Sequence, residues 1–170
     1  MTLRVGIVGH RRLDSARSWF VSWECKRILK EIAQTRSPMV AVSAIAEGAD
    51  TLFAEVAVTL GIPLEVVRPF DSYDSDFIDT PARNRYSKLR AQAQNEVQMK
   101  YASRSTMAYE AAMVWVVRTS DLLLAAWDGY PGTGPGGTGS AIEAAVRLQR
   151  PWIHLNTSDC TMTRHLQALV

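Results

Sequence analysis

The sequence predicts an α/β fold, a Rossmann-like three-layer sandwich with a mainly parallel sheet. Short apolar runs alternate with longer stretches whose apolar residues recur at helical spacing. The runs lie too far apart to be hairpins, so the chain must cross over the sheet between them. Right-handed crossovers then cover both faces with helices. The first run ends directly in Gly9, and the runs ending at Ile45 and Trp127 reach Gly48 and Gly129 within three residues, as binding loops at the strand ends of such sheets do.

Leu3 to Val8 is an apolar run closed by Gly9 and reads as a first strand buried on both faces. Asp14 or Ser15 caps a helix carrying Phe20, Trp23, Ile28 and Ile32, which Thr35-Arg36-Ser37-Pro38 breaks. Met39 to Ile45 is the second strand, and Glu47-Gly48-Ala49-Asp50 turns into a helix with Leu52, Phe53, Val56 and Leu60 on its apolar stripe. Leu64 to Val67 is the third strand, followed by a polar, acidic loop from Pro69 to Asp79 long enough to be a binding loop. Thr80-Pro81 starts a helix to about Gln94, Glu96 to Tyr101 reads as a short extra strand, and Thr106 to Arg118 as another helix. Leu122 to Trp127 is a buried strand, a glycine- and proline-dense loop runs to Gly139, and a helix follows from Ser140 to about Arg150. Trp152 to Leu155 is the last principal strand, and a short helix is expected around Thr163 to Leu169.

Composition narrows the functional classes. The 170 residues suit one domain, over residues 1–157, with 158–170 as a C-terminal segment. Nineteen basic against seventeen acidic side chains leave a net charge of +2, a weak field that argues against nucleic acid as a partner. Only His10-Arg11-Arg12 forms a compact basic group. Cys25 and Cys160 stand far apart, which suits a reducing, cytoplasmic setting, and no apolar run is long enough for a membrane span. Neither a metal site nor a cofactor is expected, because no His/Cys/Glu group has zinc spacing and the acidic loop lacks the calcium-loop pattern.

Candidate binding residues fall just after the strands. Gly136-Gly137-Thr138-Gly139-Ser140 lets backbone amides approach an anion that the following helix also attracts. Glu143 lies one turn further, on the face of Ser140, as a ribose acceptor or an acid/base. The alternative is a flexible loop with Ser140 as helix cap. Gly9, His10 and Arg11 follow the first strand, with Arg11 suited to a phosphate or the group a solvated turn; Glu47, Gly48 and Asp50 follow the second, as a ribose site or a structural turn with Asp50 as helix cap. Asp128 follows Trp127, whose ring belongs in the core or against a base. Tyr73, Asp74 and Asp76 reach a ligand from the long loop or are simply solvated. No Walker motif, dinucleotide fingerprint or nucleophile elbow is present, which weakens ATPase, dehydrogenase and serine-hydrolase readings.

Taken in order, Gly6-Ile7-Val8-Gly9-His10-Arg11, Ser43 to Asp50, Pro69-Phe70 with Tyr73 and Asp76-Phe77, Asp121 to Gly129 and Gly136-Gly137-Thr138-Gly139 resemble the SLOG superfamily of Smf/DprA-like and LOG-like Rossmannoid domains. The resemblance runs from about Leu3 to Leu155. It implies a sensor-type domain that binds a nucleotide or nucleotide-derived ligand, as in prokaryotic conflict or immunity systems, acting as a homodimer or higher oligomer or through a separately encoded effector. Pro135 to Glu143 also matches the LOG phosphoribohydrolase motif, with Ser140 in place of threonine. That match implies an alternative, cleavage of the N-glycosidic bond of nucleoside monophosphates with Glu143 as the catalytic carboxylate. Arg104 and Arg118 are the nearby candidates for the arginine such enzymes carry. DprA-like single-stranded DNA binding is a third reading.

Overall fold

The computed structural model describes residues 1–36, 38–132 and 136–166. The described strands are β1 (Leu3–Gly9), β2 (Met39–Ser43), β3 (Leu64–Arg68), β4 (Asn95–Gln98), β5 (Leu122–Trp127), β6 (Trp152–Asn156) and β7 (Thr161–His165). The helices are α1 (Ser15–Thr35), α2 (Ala49–Thr59), α3 (Thr80–Gln92), α4 (Thr106–Thr119) and α5 (Thr138–Arg147), with a 3-10 turn at Tyr73–Asp76. The strands form one sheet in the order β4-β3-β2-β1-β5-β6-β7. All neighbours are parallel except β6 and β7.

Burial explains the layers. β1 and β5 are apolar without alternation because helices cover both faces of the sheet. Val5, Ile7, Leu122 and Leu124 pack with Phe20, Val21 and Leu29 of α1, Phe53 and Ala57 of α2, and Tyr86 and Leu89 of α3. Val8, Val42, Leu123 and Ala125 pack with Val116 and Val117 of α4 and Ala141, Ile142 and Ala145 of α5. Caps start the helices where expected: the Asp14 carboxylate accepts from the Arg17 amide at 2.9 Å, and Asp79 and Ser105 do the same for α3 and α4. Among the described residues no helix is long and apolar enough to cross a membrane. On the outer side of α1, Trp19 and Trp23 stack with ring centroids 5.5 Å apart while 65% and 54% exposed.

One expectation is corrected. Thr161–His165 is a strand, where the sequence suggests a helix from Thr163; Gln167 to Leu169 lie outside the described residues. The cause is local. Asn156 accepts from the Ser158 amide at 2.9 Å and Asp159 from the Thr161 amide at 3.1 Å, while Cys160 takes a positive φ of 56°. These side-chain turns fold the chain back, and Met162 then pairs with Leu155 and packs on the core. The last helix also starts at Thr138 rather than Ser140, with Gly137 at its N-cap.

Candidate ligand-binding site

The chain leaves β1 toward β2 on one side and β5 toward β6 on the other, so the crevice beyond β1 and β5 is where strand order reverses. Gly9 pairs with Ala126, which brings the two following loops out side by side. The His10 amide donates to the Ala126 carbonyl at 3.0 Å, and the Asp128 amide donates to His10 Nε2 at 3.2 Å. His10 therefore ties the β1 loop to the β5 loop. Burial tends to raise the Asp128 carboxyl, but the Tyr130 amide and His10 outweigh it and hold the group below its ordinary value.

Beyond these loops lies an open hollow of about 580 Å³. Gly9, His10, Arg11, Asp128, Gly136, Gly137, Thr138 and Gly139, all expected from the sequence, line it, together with Trp127 and Tyr109. The first turn of α5 forms one wall, and among the described residues no side chain caps it. A helix N-terminus with glycine at its cap presents amide donors and the positive end of the helix dipole. An inner hollow of about 90 Å³ continues beneath, sharing Gly9, Arg11, Tyr109 and Gly136 to Thr138 with the outer one.

Asp50 borders the inner hollow at 8% exposure. Burial pushes its carboxyl up to about 7, against the opposing pull of Arg11 and the Ala46 amide. It is not the helix cap, since Gly48 holds that place with φ 86° and ψ −128°. Gly48 presses against the backbone of His10 and Arg11, and the Ala49 amide donates to the His10 carbonyl at 3.1 Å. The β1 and β2 loops are thus fastened to one another.

A polar cluster flanks the mouth. Arg11 Cζ lies 4.8 Å from the centroid of the Tyr109 ring, and Arg11 and Arg104 approach the Asp76 carboxylate at 3.8 and 3.6 Å. The Tyr109 hydroxyl donates to Asp76 Oδ2. Burial and then the bond to Asp76 hold the phenol above its ordinary value, so it remains a donor. A side hollow of about 290 Å³ opens here, with Arg11, Arg12, Glu47, Asp76 and Arg104 in its walls. Tyr109 was not legible as a site residue; it is one tyrosine on a helix whose other inward residues are small and apolar.

Other residues singled out in the sequence have mixed positions. Ser140 is half-buried in the first turn of α5, and Glu143 is exposed; neither lines the outer or inner hollow. Pro135, which begins the LOG-like motif, lies outside the described residues. Asp74 is exposed, and Tyr73 is a buried core ring, edge-on to Phe70 at 5.5 Å, that also touches the inner hollow. Arg118 is in the last turn of α4, at the opposite end of the helix from the mouth. Trp127 is partly buried and donates its indole N–H to the Tyr130 carbonyl at 2.9 Å. His154 stands 3.0 Å from the Trp127 carbonyl and away from these hollows.

No family model matches the sequence, and no curated protein matches it. Solved structures do match. DNA processing protein A from Helicobacter pylori, described with single-stranded DNA binding, superposes with a TM-score of 0.63 at 20% identity over 89% of this chain and 64% of that one. DNA processing protein A from Streptococcus pneumoniae gives 0.67 at 15% identity over 90% of this chain and 50% of that one. The molybdenum cofactor carrier protein of Chlamydomonas reinhardtii gives 0.55 at 13% identity, over 92% and 77% of the two chains. The chain thus spans less than two thirds of either DNA processing protein A. At these identities the likeness is one of fold, and by its fold the chain is a Rossmann-like α/β domain.

Proposed function

We propose that the chain binds a nucleotide or nucleotide-derived small molecule across the β1–β5 crevice. Its phosphate lies against the first turn of α5, from Gly136 to Ser140, beside Arg11, and its sugar lies toward the Glu47 to Asp50 turn. The observation that carries this reading is the hollow at the point of strand-order reversal, walled by a glycine-capped helix N-terminus and a half-exposed arginine. That pairing of amide donors with a guanidinium suits a phosphate group. The sensor role, with homo-oligomerisation or a separate effector as its readout, extends the same reading.

Calorimetry with nucleoside monophosphates, diphosphates and cyclic dinucleotides tests it, and saturable binding of one class is expected. Arg11→Ala is expected to weaken that binding roughly 10- to 100-fold, the worth of a charge-assisted contact, with little change in melting temperature. Failure of every nucleotide in the panel to bind removes the proposal.

Two alternatives have their own signatures. The H. pylori neighbour binds single-stranded DNA, so the expectation against nucleic acid has no support from the comparisons. Binding of a single-stranded oligonucleotide with a steep loss of affinity as salt rises would favour that reading over a small ligand. For the LOG-like hydrolase, Glu143 stands exposed and off the hollow. Incubation with nucleoside monophosphates is therefore expected to release no free base. Base release that disappears in Glu143→Gln while binding persists would establish the enzyme instead.

A further inference from the structure

The turn holding Asp76 comes from the loop after β3, and Tyr109 from α4, yet both converge on the arginine that follows β1. The Asp76 side chain is 6% exposed, and a carboxylate so deeply placed persists only with partners. Among the described residues it has three: the Tyr109 hydroxyl and the guanidinium groups of Arg11 and Arg104. One negative charge therefore faces two positive ones, and the surplus lies beside the hollow. Arg11 itself is 48% exposed, on a turn whose long side chain would otherwise sample many rotamers in water.

We infer that Asp76 and Tyr109 are positioning residues that bracket Arg11 at the mouth of the hollow, so that its guanidinium is set in advance to receive a phosphate of the ligand. The inference rests on the ligand-binding reading and deepens it. Tyr109 supplies a flat ring under the guanidinium, and its hydroxyl fixes the carboxylate that holds the other edge. Binding then need not immobilise Arg11, which is where much of the cost of an arginine contact lies.

Removing a negative charge beside an anion site should by itself strengthen phosphate binding, whereas losing the bracket should weaken it. The two roles of Asp76 thus differ in sign. With inorganic pyrophosphate as probe, Asp76→Asn is expected to bind about tenfold more weakly than the wild type. Combined with Arg11→Ala it is expected to add no further loss, as for residues acting as one unit. A gain in affinity for Asp76→Asn overturns the inference.

A second measurement needs no ligand. The Arg11 Nε–H resonance, assigned by its absence in Arg11→Lys, is expected upfield of an unstructured arginine because of the Tyr109 ring. It should return toward the unstructured position in Asp76→Asn and part of the way in Tyr109→Phe, which keeps the ring and loses the hydroxyl. An unmoved resonance in both variants also overturns the inference. If the wild type binds neither pyrophosphate nor any nucleotide, the ligand reading fails while this resonance still decides the bracket.

Discussion

Gly48→Ala is expected to destabilise the chain by about 3 kcal/mol, the sum of left-handed strain and a backbone overlap. Gly48 has φ 86°, and a Cβ there would collide with the carbonyl oxygens of His10 and Arg11, which are backbone atoms and cannot swing aside. At this chain length such a loss lowers the melting temperature by roughly 6–12 °C. Gly61 provides the control: its φ is 69°, but nothing lies within 4 Å of the position a Cβ would take. Gly61→Ala should therefore cost only the strain, about 1 kcal/mol. Equal falls in melting temperature for the two variants would rule out close packing of the β1 and β2 loops as the reason for Gly48.

Asp50 should give stability an unusual dependence on pH. Its carboxyl is raised from 3.8 to about 7 by burial, so the unfolded chain releases this proton first. Below the lower value both states are protonated and the buried acid carries no penalty. As pH rises between the two values the folded state holds a proton that the unfolded state has lost, and stability falls, levelling off above the upper value. A shift of that size corresponds to about 4 kcal/mol. Asp50→Asn is therefore expected to stabilise the protein by up to about 4 kcal/mol near pH 8 and by little near pH 4. Urea denaturation of both proteins at the two pH values measures it. A difference that stays constant with pH would mean that Asp50 is ionised or solvated in the folded chain.

Much of this architecture was legible because it depends on burial along one segment at a time. Strands β1 and β5 read clearly since both their faces are covered, α1 because Asp14 caps it with its own side chain, and α3 because Pro81 sits in its first turn. The start of α5 was two residues off because its cap is a glycine without a side-chain bond. Strand β7 was hidden: it is a mostly exposed edge strand whose single apolar residue is Met162, so neither period stands out. In the site, the loops after β1 and β5 were visible as glycine next to an apolar run. The bracket was not, because Asp76 and Tyr109 are 33 residues apart and meet only through the fold. Glu143 was prominent as a motif residue, but Ala141, Ile142, Ala144 and Ala145 take the buried face of α5 and leave it in solvent.

The borders of the sheet bear on how copies of this chain can associate. At one border Arg68 and Arg90 both engage Glu96 on the four-residue β4, and at the other the short β7 lies over β6 with Arg164 tied to Glu31 of α1. Brief margins studded with charge discourage strand-to-strand polymerisation. Self-assembly by extending the sheet is thereby disfavoured, and the exposed apolar surface lies instead on the helices, as with Trp19 and Trp23 of α1.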